Sequence, residues 1–373
     1  MSPNIAAWLA APHAPLTVSE APLLPPEPGQ IRLRARAVAI NPVDRFKQKM
    51  GNALYGWRAY PMILGFDVAG EVEAVGPGVT RFAPGDRVVA LATGMEKSRN
   101  RDAEAAFQLF PNVRADLSAP IPDDMSCEAA AVLPLALSTA ACGLFAKDQL
   151  GLSRPGATPE DREQTVLVWG GATSVGCNAI QLARAAGYRV IATASPRNFD
   201  YLKRLGADDV LDYAGPYAAG QVTRVLRGHA VAGALAIGAG SARACIEVLG
   251  ASAGTRKVAM ATFPPVDIDA LPDRPGPWTL MTRMLPGMVA GMAGLWVAAR
   301  RRGVARSTIW GTALMDADLG PAIFEGFLPQ ALATGQIVAA PPPLIAGHGL
   351  DAIQPAFERQ KQGVSAAKVV VTL

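Results

Sequence analysis

The apolar positions of this chain change their period several times, and each change marks an element. Val166-Leu167-Val168-Trp169 is an unbroken apolar run, the form of a strand buried on both faces. It breaks into Gly170-Gly171-Ala172-Thr173-Ser174-Val175-Gly176, and a helical period starts at Cys177. The spacing then predicts a helix over 178–186 closed by Gly187, a strand over 188–194, a helix over 199–205 closed by Gly206, and a strand over 209–213. Strand, helix, strand, helix, strand at this pace is the pattern of a parallel, doubly wound sheet in an α/β domain. Further strands are expected at 234–237, 257–262 and 308–311.

Upstream the period is two. Residues 31–40 (IRLRARAVAI) alternate apolar residues with Arg32, Arg34 and Arg36, which predicts one buried and one wet face. Asn41-Pro42-Val43-Asp44 reads as a turn ending that strand. Two more β runs, 68–75 and 87–91, lie between Gly/Pro turns, which suggests a compact, barrel-like β domain. Ser126 is placed to cap a helix over 127–132, Pro134 to interrupt it, and a second helix is expected over 138–148. Residues 149–165 read as an exposed loop. Helical patterns over 321–333 and 350–360 precede a last strand, 368–373, which has no other evident sheet than that of the N-terminal domain.

Composition narrows the class. The chain has 373 residues, half of them hydrophobic, enough for large cores in one to three domains. A net charge of +4 with few clustered basic residues does not suggest nucleic acid. Cys127, Cys142, Cys177 and Cys245 lie in apolar contexts without C-x-x-C spacing, and His13, His229 and His348 are far apart, so neither a zinc site nor a disulfide framework is expected. Buried reduced thiols and an N-terminus without a signal-peptide pattern point to the cytoplasm. Residues 285–299 are apolar between Arg283 and Arg300-Arg301-Arg302; the run is short for a membrane span and contains Pro286 and three glycines, so no span is expected.

The Gly-rich turn carries the chemistry. It aims free N–H groups and a helix N-terminus at one spot, where a pyrophosphate can sit if no side chain intervenes. After the second strand an NAD enzyme usually presents an acid to the ribose. Here Ser195-Pro196-Arg197-Asn198 follows, with no acid before Asp200, a set that suits a 2′-phosphate and hence NADPH. Arg197 could alternatively be a solvated surface residue.

Three blocks then give the order of parts: Ala39-Ile40-Asn41-Pro42-Val43-Asp44, Gly65-Phe66-Asp67-Val68-Ala69-Gly70-Glu71-Val72 through Gly85-Asp86-Arg87-Val88, and the turn at Gly170. With them the chain resembles the medium-chain dehydrogenase/reductase superfamily over nearly its whole length. The resemblance implies a β-rich GroES-like catalytic domain, residues 1–135 and 313–373, plus a doubly wound parallel-sheet (Rossmann) cofactor domain, residues 136–312. Where zinc-dependent members place a Cys and a His, this chain has Asp44 or its neighbours and Phe66, and it lacks the four-cysteine lobe, which implies the zinc-free branch without a metal. Ala136-Leu137-Ser138-Thr139-Ala140, Ala194-Ser195-Pro196-Arg197-Asn198-Phe199-Asp200, Thr308-Ile309-Trp310-Gly311-Thr312 and Lys368-Val369-Val370-Val371 are similar to the trans-acting enoyl reductases of fungal polyketide synthases, the lovastatin type among them. These relatives often carry a Lys where this chain has Phe46, one place before Lys47.

The resemblance implies cofactor contacts from Asn41, Val43, Asp44, Thr139, Gly171, Ala172, Thr173, Ser174, Val175, Ser195, Arg197, Asn198, Tyr213, Ile237, Gly238 and Lys368. It implies a substrate pocket of Tyr55, Leu135, Ser138, Ile309, Trp310, Gly311 and Thr312, with Lys47 and Thr139 as catalytic candidates. Thr139 reads equally well as a capping or back-bonded threonine, and Trp310 as plain core. The implied reaction is hydride transfer from NADPH to the β-carbon of an α,β-unsaturated thioester, then protonation at the α-carbon by water, Lys47 or Tyr55. The implied partner is a polyketide synthase or its acyl carrier domain. Two rivals remain: a zinc-independent quinone or enone oxidoreductase acting on free small molecules, and a non-catalytic cofactor-binding protein. For 284–306 the sharper expectation is an apolar part flanking an acyl channel, with arginines meeting an acidic carrier; a buried helix with a basic end and a membrane-surface helix are the alternatives.

Overall fold

The computed structural model describes residues 3–156, 161–262, 268–272 and 274–373. Positions 157–160 of the loop expected at 149–165 lie outside these.

The alternating run becomes the strand Gln30–Ala39, at the centre of a seven-stranded sheet. Asp67–Val75 and Lys368–Thr372 flank it, both antiparallel to it, so the chain's last strand returns to the first domain. Arg87–Leu91, Ser118–Pro120 and Pro343–His348 extend the sheet. A second, three-stranded sheet sets Asn4–Leu9 between Leu16–Ala21 and Met62–Ile63. Of the three arginines expected on the wet face, Arg32 is buried instead, paired with Glu73 at 3.3 Å.

Two expected breaks turn out to be starts. Asn41-Pro42 is no turn: Pro42 opens the helix Pro42–Met50, with Asn41 as its N-cap. Pro134 likewise opens the helix Pro134–Phe145, four residues before the expected start. The physical reason is the same in both. Proline's missing N–H costs nothing in a first helical turn, and its fixed φ suits one.

The doubly wound sheet has six strands, all parallel: Asp209–Asp212, Arg189–Ala194, Gln164–Trp169, Ala230–Ala236, Lys257–Met260 and Ala305–Thr308. Numbered along the chain, their order is 3-2-1-4-5-6, which reverses beside Gln164–Trp169 and opens a crevice at the strand ends there. The expected strand 308–311 lies three residues earlier, because Ile309 to Thr312 leave the sheet toward the other domain. The Pro134–Phe145 helix packs on the Ser174–Ala185 helix and bridges the two domains.

The largest departure is Pro277 to Arg302, a continuous helix with a π-helical turn at Leu280–Met284. Pro286 cannot donate to the carbonyl one turn back, and the wider turn just before it accommodates the ring. Only its C-terminal part is anchored: Ala298 and Ala299 are buried in the core around the Ser241–Gly250 helix. Leu285, Val289, Met292 and Trp296 are exposed. This side of the helix faces solvent, which corrects the alternative of a wholly buried helix.

Candidate active site

The helix after the Gly-rich turn starts at Ser174, three residues before the apolar period begins. Thr173 is the reason. Its hydroxyl accepts from the Gly176 N–H at 3.0 Å and donates to the Gly170 carbonyl at 2.8 Å, capping a first turn of small residues that carries no periodic signal. Gly170 holds φ +92°, open to glycine at little cost, and its N–H donates to Thr193 Oγ1 at 3.1 Å. The first-turn N–H groups of Ser174 and Val175 have no acceptor within the helix and lie at the positive end of its dipole, at the crevice. Ala172 lines the same turn. Across from it Ile237 is buried, its N–H donating to Trp169 O at 3.0 Å. At Gly238 a Cβ would meet nothing within 4 Å, so the crevice is open there.

At the end of the second strand, Ser195 Oγ and Tyr213 OH stand 3.3 Å apart, both at the surface. Arg197 is exposed and forms no ion pair among the described residues. Asn198 departs from this group: it is buried, and its amide donates to Ser365 Oγ at 3.3 Å.

In the β-rich domain the organising group is Asp67, which sequence reasoning had not singled out as a site residue. Its buried carboxylate accepts from Leu135 N–H at 2.6 Å, Asn41 Nδ2 at 2.8 Å and Lys368 Nζ at 2.5 Å. Lys368 also donates to Val132 O at 3.1 Å. Four segments distant in sequence meet here, and Lys368 faces them rather than an open crevice. Asp44 lies close by, buried, accepting the Asn41 N–H at 2.8 Å through one oxygen while the other has no partner. Burial, reinforced by the charge of Asp67, pushes its carboxyl up to about 8, which favours its protonated form. Val43 lies beside it on the same helix, half-buried.

Lys47 does not reach an open pocket. It is fully buried, and its ammonium donates to the carbonyls of Gly51, Leu54 and Tyr55 at 3.0, 2.9 and 3.3 Å. All three protons are spent on the loop that follows its helix. Burial, with Arg58 adding to it, lowers its pKa to about 8. This geometry suits a loop-fastening residue, not a proton donor, and corrects the catalytic expectation.

The substrate candidates do converge. The Tyr55 ring contacts Trp57, Trp310 and Phe66 at centroid distances of 5.3, 5.7 and 6.1 Å. Glu96, unforeseen in the sequence, fixes this wall: it accepts from Trp310 Nε1 at 3.0 Å and Thr312 Oγ1 at 2.6 Å. Its burial raises its pKa, and those two hydrogen bonds oppose the rise. Trp310 remains 38% exposed, which rules out plain core packing. Burial, then the nearby carboxyls of Glu96 and Asp44, raise the Tyr55 phenol's pKa. The wall meets the Pro134–Phe145 helix at Gly311, whose carbonyl accepts from Ser138 Oγ. A side chain on Gly311 would collide with Thr139 Oγ1 and crowd Leu135. Thr139 is back-bonded, donating to Leu135 O at 2.7 Å, so toward the crevice its hydroxyl can only accept. Ile309 is buried beneath.

A glycine-rich turn at the reversal point of a six-stranded parallel sheet, joined to a β-rich domain that supplies an aromatic wall, defines a two-domain NAD(P)-binding oxidoreductase. Residues 27–118 match the alcohol dehydrogenase GroES-like domain. The chain is 45% identical to Dehydrogenase pigH of Monascus ruber, with 100% of each covered. It is 34% identical to Trans-enoyl reductase himH of Aspergillus japonicus over 92% of this chain and 90% of that one. The crystal structure of CurK enoyl reductase matches with a TM-score of 0.73 at 19% identity, covering 100% of this chain and 99% of that one. The chain belongs to the medium-chain dehydrogenase/reductase superfamily.

Proposed function

We propose that this protein is an NADPH-dependent, trans-acting enoyl reductase that reduces α,β-unsaturated polyketide thioesters presented by a polyketide synthase or its acyl carrier domain in the cytoplasm. The observation that carries the cofactor choice is the end of the second parallel strand. Two hydroxyls, Ser195 and Tyr213, stand 3.3 Å apart, the exposed guanidinium of Arg197 is two residues on from Ser195, and none of the three is a carboxylate. That set fits a 2′-phosphate, which an acid would repel. The reduction of an enoyl thioester is supported by a relative of nearly equal length named a trans-enoyl reductase.

NADPH, when bound, supplies the hydride for the β-carbon. The chain's residues supply the rest. Gly171 to Val175 would hold the pyrophosphate on the helix N-terminus. Gly238 leaves room for the ribose, and the Thr139 hydroxyl, its own proton given to Leu135, would accept from the nicotinamide amide. Tyr55 and Trp310 would form an apolar wall for the enoyl chain, while Leu135, Ser138 and Gly311 close the other side. The α-carbon's proton would come from water or from the Tyr55 phenol. No metal is assigned, in keeping with the resemblance to the zinc-free branch: among the described residues no three His, Cys, Asp or Glu side chains cluster as ligands.

The test compares NADPH oxidation with a carrier-tethered enoyl chain, a free enoyl thioester and free quinones or enones. Faster turnover of the enoyl thioesters, the tethered one above all, supports the proposal. Turnover confined to free quinones or enones replaces it with the small-molecule reductase reading. NADPH binding without turnover of any of them replaces it with a non-catalytic role.

A further inference from the structure

The helix from Pro277 to Arg302 presents a surface that the reaction does not use. Leu285, Val289, Met292 and Trp296 recur at spacings that place them on one face of a helix, and Trp278 lies exposed beyond the π-helical turn. Trp278 and Trp296, at the two ends of this surface, are 78% and 53% exposed. At 1.5 Å per residue the stretch from one to the other is roughly 27 Å long. The segment Leu280–Arg302 is apolar enough for a membrane, yet none of its most apolar stretch is buried within the protein.

Charge is equally one-sided. From Arg274 to Met315 there are six arginines and no acid. Arg300, Arg301 and Arg302 are exposed at the helix end, Arg300 lying 5.7 Å over the Trp296 ring. On the helix packed beneath, Glu247 is already paired with Arg243 at 3.6 Å.

We propose that this face docks on an anionic lipid bilayer, the helix lying in its surface plane. The stripe would sit at the boundary of headgroups and acyl chains, with tryptophans at both ends and arginines on lipid phosphates. A second copy fits poorly, because pairing two such helices sets arginines against arginines with no acid to answer them. An acidic protein answers the arginines but not an apolar stripe of this length; an anionic bilayer answers both. The helix cannot cross the membrane while Ala298 and Ala299 remain packed in the protein core.

Flotation of the full chain with phosphatidylcholine vesicles, with and without phosphatidylserine, tests this. Binding is expected only with phosphatidylserine, weakening as salt rises. Arg300→Gln with Arg301→Gln should lower the partition coefficient roughly tenfold or more, given the usual contribution of each basic residue near such a surface. Trp278→Ser with Trp296→Ser should abolish binding and leave thermal stability and reductase activity unchanged, since both rings are exposed. No binding of the wild type to anionic vesicles at low salt, or equal binding by the tryptophan variant, overturns the proposal. So does a dimer or carrier-protein complex that this variant dissolves while the wild type ignores vesicles.

Discussion

Replacing Lys368 by Met separates a structural lysine from a cofactor ligand. The Lys368–Asp67 pair is 3% and 0% exposed, at 2.5 Å. Without the ammonium, the carboxylate keeps only the Leu135 N–H and the Asn41 amide. Breaking a buried pair by removing one partner costs about 3–5 kcal/mol, because the remaining charge is left uncompensated. With an unfolding entropy of roughly 2.1 cal/mol/K per residue, a chain of 373 residues loses about 4–6 °C in Tm if it unfolds as one unit. The assay is thermal unfolding with and without NADPH, together with KM for NADPH. Lys368→Met should lower Tm by that amount and leave KM nearly unchanged. Adding Asp67→Asn should recover part of the loss, since the new side chain carries no charge and can still accept from Leu135. A variant with unchanged Tm and a KM raised tenfold would refute this reasoning and return Lys368 to the cofactor site.

Three further outcomes are expected. Arg197→Ala should raise KM for NADPH by the equivalent of about 1.5–3 kcal/mol, one charge-assisted contact, and spare NADH; equal weakening toward both cofactors would remove Arg197 from the phosphate site. Asp44→Asn should flatten the pH dependence of stability. The carboxyl's pKa rises from 3.8 to about 8 on folding, so this group's contribution to stability is fully present below pH 4 and declines between about 4 and 8, by up to about 1.4 kcal/mol per pH unit. Denaturant titrations of both proteins across that window check this, and parallel curves would contradict it. Activity should survive exhaustive chelation, with elemental analysis as the check; one tightly held zinc per chain would reverse the metal-free assignment.

What was legible in the sequence was local. The parallel sheet could be read because its strands are unbroken apolar runs and its turns are glycine-rich, so each unit announces itself within thirty or so residues. Boundaries erred where one residue type has two uses. Pro42 and Pro134 looked like breaks and are helix starts, and the small residues Ser174 to Gly176 hid a first turn capped by Thr173. Asp67 and Glu96 could not be found this way. Each owes its role to partners far along the chain: Lys368 and Leu135 for one, Trp310 and Thr312 for the other.

The same limit explains Lys47. A lysine one place from an expected catalytic position invites a catalytic reading, and only the geometry shows three carbonyls consuming its protons. The segment from Pro277 to Arg302 shows the converse. Its glycines and Pro286 argued against a membrane span, and both residue types cost stability in a helix interior. Yet the π-helical turn absorbs the proline, and Gly303 closes the helix in the left-handed conformation after three arginines that suit its negative end. A helix of poor intrinsic propensity, apolar on its exposed side and anchored only near its C-terminal end, is not one that packing within this chain alone would hold. The bilayer surface proposed above would supply the burial that the protein does not.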